Sequence, residues 1–283
     1  MSAVTRRTLL AGLLGLPFAT AGCSTRPEQA RPSGALRTAL LTKNPFTIAH
    51  RGGSRDWPEM SMLAYRHSVE LGVDALEMSL ARTIDGQWFG LHDATLDRVA
   101  GVHGAIADRM TWAQVERLSI SAAGTRHSET AQQPFLRFSD LADAYGATHT
   151  LFVDPKVVAA EYWPELFALM RAHTAHPAES FVAKGFGTST RWATAARSQG
   201  FTTWGYYYGA GLTAAPSVLS RTAGSWDLLG LDVAADDASW AAVRAIGRPI
   251  IGHLVDSRSA ASSVREHGAQ GLMVSDPEAV LSL

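Results

Sequence analysis

From Phe46 to the C-terminus, short apolar runs alternate with stretches of helical period, and this alternation constrains the fold more than any other feature of the chain. The strand candidates are "FTIAH", "DALEMSLA", "GQWFGLHD", "HTLFVDPK", "SFVAKGF", "TTWGYYYG", "DLLGLDV", "PIIGHLV" and "GLMVS". Between them lie helical patterns such as "SMLAYRHSVELG", with Met62, Tyr65 and Val69 on one face, and "FSDLADAYG", with Ser139 placed to cap it. Strands alternating with helices predict an α/β fold with a mainly parallel sheet. A chain of 283 residues has room for a single TIM-type (β/α)8 barrel of roughly 250 residues over 46–283. The alternative is an open doubly wound sheet, but no glycine-rich phosphate loop opens a helix after the first strand. The turn "TIDG" leaves no room for a crossover helix between the second and third candidates, so the barrel is predicted to be irregular there.

The chain before Phe46 reads differently. "MSAVTRRTLLAGLLGLPFATAGCS" holds the basic pair Arg6-Arg7 and an acid-free apolar core from Leu9 to Ala21. That core is shorter than the about 20 residues needed to span a bilayer, so residues 1–23 read as a secretory signal. "TRRTLL" resembles a twin-arginine signal, and "TAGC" resembles a bacterial lipobox ending at Cys23. The resemblance implies an exported lipoprotein, anchored through Cys23 to the extracytoplasmic face of a bacterial membrane. Cys23 is the only cysteine, so the mature domain has no internal disulfide. Residues 24–45, with Pro, Ser and Gly, read as a tether. A net charge of -1 implies no strongly basic face and argues against nucleic acid as a partner.

Ionisable residues recur at the ends of the early strands. His50 and Arg51 end the first, Glu77 lies within the second, His92 and Asp93 end the third, and Asp154 and Lys156 end the fourth. In a barrel the C-terminal strand ends share one rim, where active sites sit. Such groups must pair, bind a metal or bind a substrate, because burying them unpartnered is costly. Glu77 and Asp154 are hard oxygen donors suited to Mg²⁺ or Ca²⁺. Two histidines suit a general acid and a general base. Arg51 and Lys156 could hold an anion, although Asp154 and Lys156 could instead form a structural ion pair. A divalent metal, two cations and two histidines match in-line displacement at phosphorus. The aromatics of "TTWGYYYG" read first as packing; Trp204, Tyr206 and Tyr208 share a face that a lipid or glycerol group could touch.

Together "AHRGGSRDWPEM", "LGVDALEMSL", "DGQWFGLHDATLDRVAG", "FVDPK" and "HGAQGLMVSDPEAV" resemble the glycerophosphodiester phosphodiesterases, relatives of the phosphatidylinositol-phospholipase-C-like barrels. The resemblance runs from about Phe46 to the C-terminus and is strongest between Ile48 and Gly101. It implies a TIM-type barrel, a divalent cation and hydrolysis of glycerophosphodiesters to glycerol 3-phosphate and an alcohol. It also implies His50 and His92 as the acid–base pair, Arg51 and Lys156 on the phosphate, Glu77 on the metal and Glu59 bracing the site. The family pattern Glu-x-Asp on the second strand is here Glu77-Met78-Ser79. Residues two apart on a strand point the same way, so Ser79 would offer the metal a neutral hydroxyl where a carboxylate is expected. The family's fourth-strand acid is usually Glu and is here Asp154. Its form Asp-x-Lys also resembles the sphingomyelinase D group, which leaves phospholipase D-like action on lysophospholipid or sphingolipid as an alternative. A further alternative is a metal-impaired lipoprotein that binds phosphodiesters without cleaving them. Late in the chain His253 stands where that pattern has a tryptophan.

Overall fold

In a computed structural model, residues 35–282 are described. In chain order the described strands are β1 (Phe46–Ala49), β2 (Ala75–Arg82), β3 (Trp88–Gly90), β4 (Ser119–Ile120), β5 (Gln133–Pro134), β6 (Thr150–Asp154), β7 (Phe181–Phe186), β8 (Thr202–Tyr207), β9 (Leu228–Asp232), β10 (Ile250–Val255) and β11 (Gly271–Val274). Eight of them, β1, β2 and β6 to β11, pair in parallel, and β11 pairs back onto β1, closing a TIM-type barrel with helices between the strands. The sequence offers one strand candidate more than the barrel holds. The surplus one is β3, which folds back antiparallel on the end of β2 with Leu80 opposite Gly90 and Arg82 opposite Trp88. A turn too short for a helix can only reverse the chain, and the predicted irregularity is this reversal.

Period-two alternation decides what fills the barrel. At its lower levels Phe46, Ile48, Ala75, Phe152, Val182, Trp204, Leu228, Ile251 and Met273 pack into one apolar cluster. Two residues further along the same strands the side chains become polar: Glu77 follows Ala75, Asp154 follows Phe152, Lys184 follows Val182, and His253 follows Ile251. The register sets Ser79 beside Asp154 and Val153 beside Ala183, so these groups converge at the C-terminal rim. Gly230 makes room for the largest ring: a Cβ there would lie 2.6 Å from the Trp204 indole.

Two local readings need correction. The predicted tether over 24–45 falls partly outside the described residues, but Leu36–Thr42 is an α-helix. Its Leu36 and Leu40 are buried, Leu40 joins the apolar cluster of the barrel, and Arg37 and Thr38 bind Glu179. Apolar residues four apart made that helix available, and the open lower end of the barrel gives it something to cover. Ser139 does not cap its helix: Phe138–Tyr145 begins one residue earlier, and the Ser139 hydroxyl donates to Asp140 instead. The signal sequence and Cys23 lie outside the described residues. No helix among the described residues is long and apolar enough to cross a membrane.

Candidate active site

His50 and Arg51 sit in a tight turn, His50–Gly52, directly after β1. Arg51, Gly52 and Gly53 all have positive φ, at 51°, 74° and 86°. Two consecutive glycines meet that demand at low cost, and a Cβ on Gly53 would also lie 2.9 Å from the Pro277 ring. Arg51 has no such freedom, and a left-handed non-glycine residue of this kind costs about 1–3 kcal/mol. The conformation turns the Arg51 N–H toward Glu77, whose Oε2 accepts it at 2.8 Å.

The two histidines are held by opposite means. His50 is buried, with Nδ1 2.9 Å from the Ser275 hydroxyl. Burial first, and then the neighbouring cations Arg51 and Lys184, push its pKa well below 6.5. His92 is half-buried and has Nδ1 2.7 Å from Asp93 Oδ1, while Nε2 lies 2.6 Å from Lys156 Nζ. A carboxylate at Nδ1 fixes the proton there, and the ammonium donates to the lone pair on Nε2. Burial and Arg51 lower its pKa too, partly opposed by Asp93. Both rings are therefore neutral near pH 7, which readies one as a general base, while the other serves as general acid only after it has taken up a proton.

Around them the cations are placed by carboxylates. Glu59 Oε2 accepts from Arg51 Nη1 at 3.2 Å, and both Glu59 oxygens are held by Arg98, at 2.7 and 3.2 Å. Arg98 Nε also donates to Asp93 at 2.7 Å, which ties the His92 partner to the Arg51 partner. Arg51 Nε is buried with no hydrogen-bond partner among the described residues, and a buried guanidinium donor of this kind suits an anion. Lys156 reaches His92 and, at 3.4 Å, the Tyr206 hydroxyl, so the plain Asp154–Lys156 ion pair does not form. Asp154 pairs instead with Lys184, at 3.2 Å.

Lys184 is the residue the sequence reading missed. It stands on β7 with only 1% of its side chain exposed, and its ammonium lies 2.8 Å from Glu77 Oε1. Burial alone would raise the Glu77 carboxyl, but the Lys184 ammonium and Arg51 overcome it and hold the group at about 2. The same two carboxylates outweigh burial at Lys184 and keep its ammonium charged. Ser79 does face the same side as Glu77, as expected, but its hydroxyl donates to Glu77 Oε1 at 3.1 Å. The signal was present in "SFVAKGF": a lysine two residues past an inward valine must also point inward.

An aromatic wall closes one side. Tyr206 lies 4.6 Å from His253 ring to ring, Phe186 5.6 Å from Tyr206, and Tyr208 5.6 Å from His253. Phe186 and Tyr208 stay partly exposed. A cavity of about 330 Å³ opens between Asp154, Lys156, Trp163, Phe186, Arg191 and Tyr206.

Residues 50–164, which carry His50, Arg51, Glu59, Glu77, His92, Asp154 and Lys156, match the model of the Glycerophosphoryl diester phosphodiesterase family. This stretch belongs to that family. Relatives include a glycerophosphodiester phosphodiesterase of Caldanaerobacter subterraneus, 35% identical over 84 residues, covering 30% of this chain and 33% of the relative. Another is glycerophosphodiester phosphodiesterase 1 of Bos taurus, 33% identical over 111 residues, covering 38% and 33%. These matches span about a third of the length of the curated relatives. Among solved structures, an Oleispira antarctica phosphodiesterase in complex with the product sn-glycerol-3-phosphate superposes with a TM-score of 0.67 at 18% identity, covering 84% of this chain and 96% of that one. The glycerophosphodiester phosphodiesterase of Agrobacterium tumefaciens does so at 0.65 and 17%, covering 84% and 100%. At such identities the likeness establishes the shared barrel.

The sequence led us to expect a divalent cation on Glu77 and Asp154, with Ser79 as a weak third donor. The three residues do come together, yet they do not fit that ion. Ca²⁺ needs six to eight oxygen ligands and Mg²⁺ an octahedron of them. Here both oxygens of Glu77 already accept hydrogen bonds, and an ammonium lies between the two carboxylates. Among the described residues no group of three or more His, Cys, Asp or Glu side chains could hold a metal ion.

Proposed function

We propose that the chain is an exported phosphoric diester hydrolase, anchored through Cys23, that converts glycerophosphodiesters to glycerol 3-phosphate and an alcohol. The observation that carries this reading is the meeting of two neutral histidines with Arg51 and Lys156 at one rim, inside the stretch that matches the family. Arg51 offers Nε and its planar fork to the phosphoryl oxygens. The substrate phosphorus sits between the rings. His92 Nε2, with its proton held on the other nitrogen, takes a proton from the attacking water or adjacent substrate hydroxyl. His50, neutral at rest, takes up a proton once the anionic substrate is bound and gives it to the alcohol oxygen as its bond to phosphorus breaks, returning to neutral imidazole. The leaving alcohol then faces Tyr206, Phe186 and Tyr208 beside the 330 Å³ cavity. Asp93 orients His92, and Glu59 orients Arg51.

The test is release of glycerol 3-phosphate from glycerophosphocholine and related diesters. The wild type turns over at least one of them, and His50→Ala and His92→Ala each lose about 10²–10⁴-fold in kcat, the usual worth of a general acid or base. Full activity in both variants would remove the two-histidine chemistry. Release of choline with phosphate left on a lipid would favour the phospholipase D-like alternative.

A further inference from the structure

A barrel phosphodiesterase is expected to neutralise its phosphoryl group with a divalent cation, and the charges on this rim are arranged otherwise. The family pattern places carboxylates at the positions of Glu77, Ser79 and Asp154, and three such charges around a divalent cation sum to -1. Here Ser79 removes one negative charge, and Lys184 supplies one positive charge against the two carboxylates that remain. The sum is again -1. The two departures therefore compensate each other.

The geometry agrees with the count. Lys184 Nζ is 2.8 Å from Glu77 Oε1 and 3.2 Å from Asp154 Oδ2, so it touches both carboxylates a metal would use. An ion placed on those oxygens would face an ammonium at close range, with Ser79 and the Arg51 N–H competing for the same lone pairs. Lys184 is rigidly placed: it stands on a central strand, its side chain is buried, and the ring of Tyr206 lies 5.0 Å from Nζ. An ammonium has three N–H donors. Glu77 and Asp154 take two, and no described residue takes the third.

We propose that Lys184 replaces the divalent cation, so that this chain cleaves its diester without a metal. Pinned by Glu77 and Asp154, the ammonium donates its third N–H to a non-bridging oxygen of the phosphoryl group and stabilises the charge that grows there. Lys156 and Arg51 complete a set of three cations around the phosphate. Glu77 and Asp154 are positioning residues for Lys184, and Ser79 supports Glu77. This inference rests on the phosphodiesterase reading for its chemistry but not for its cation.

Two measurements separate those. Calorimetric titration of Ca²⁺ and of Mg²⁺ into the wild-type protein reads the cation site directly. The expected result is no saturable binding, with one site appearing in the Ser79→Asp/Lys184→Ser double variant. Turnover of a glycerophosphodiester by the wild type is then measured with a chelator and with added Ca²⁺ or Mg²⁺. The expected result is the same rate in both, and a fall of about a hundredfold or more in kcat for Lys184→Met, the scale of one lost oxyanion donor. Stoichiometric metal binding by the wild type, or loss of turnover in chelator, overturns the proposal. If Lys184→Met does not fold, the wild-type titration and the chelator arm still decide. If no diester is cleaved under any condition, the phosphodiesterase reading fails, while the titration still says which cation the carboxylates hold.

Discussion

Replacing Lys184 by methionine removes the one ammonium between two buried carboxylates and keeps the length of the side chain. Glu77 is fully buried and Asp154 is 5% exposed, so neither gains water in exchange. Removing one partner of a buried ion pair costs about 3–5 kcal/mol. Glu77 gives a figure of the same order: against burial, Lys184 and Arg51 together hold it at about 2 instead of its ordinary 4.5, which corresponds to about 3 kcal/mol at neutral pH. Lys184→Met should therefore lose about 3 kcal/mol in urea-induced unfolding near pH 7, with an unchanged denaturant slope. The pH dependence has a definite sign. In the wild type Glu77 is depressed, so its contribution is present above its unfolded value and fades as pH falls toward 2. In the variant, burial raises the Glu77 carboxyl above its unfolded value, so the folded variant binds a proton that the unfolded chain does not and gains stability as pH falls. The deficit should narrow in acid. A loss under about 1 kcal/mol, or a deficit that stays constant down to about pH 4, would refute the buried pair as the centre of this rim.

Two further outcomes follow from the same geometry. Glu59→Gln loosens Arg51 and Arg98 together, so KM for a glycerophosphodiester should rise about tenfold with a smaller change in kcat; an unchanged KM would separate Glu59 from substrate binding. His253 is buried, with its Nδ1 unpartnered among the described residues, and it is faced by His50, Lys184, Glu77 and Lys156. Burial, then His50 and Lys184, pushes its pKa well below 6.5. The unfolded chain then binds a proton that the folded one refuses, and stability falls as pH drops through 6.5. His253→Phe should flatten that slope by up to about 1.4 kcal/mol per pH unit, read from chemical denaturation at several pH values; identical slopes would remove His253 from the titration.

The barrel was legible because its strands obey two rules at once: apolar runs mark them, and short turns separate them from amphipathic helices. The surplus candidate shows the limit of those rules, since "GQWFGLHD" has strand composition whether it closes a barrel or folds back on β2. His50, Arg51, Glu77, His92, Asp154 and Lys156 announce themselves as charges at strand ends, and the structure brings them to one rim. Glu59 was expected to brace the site, and its carboxylate contacts two arginines, Arg51 and Arg98, the second of which the sequence reading did not single out. Asp93 was read as a charge at the end of the third strand candidate; its contact with His92 depends on the turn after β3. Lys184 was overlooked because a lysine within an apolar run looks like a surface interruption. Only its phase relative to Val182, together with the missing acid at Ser79, identifies it as a counter-charge. The helix Leu36–Thr42 was read as tether because Pro and Ser precede it, whereas its burial depends on the open end of a barrel that no local pattern reveals.

The central claim is that the rim attacks phosphorus, with His50 and His92 moving protons while Arg51, Lys156 and Lys184 hold the phosphoryl charge. Hydrolysis of glycerophosphocholine by the wild-type protein in ¹⁸O-labelled water, in the presence of a chelator, tests it most directly. The account predicts product formation with one ¹⁸O in the phosphate of glycerol 3-phosphate and none in choline, whether water or a substrate hydroxyl attacks first. Label in the alcohol, or hydrolysis that starts only when a divalent metal is restored, would contradict it.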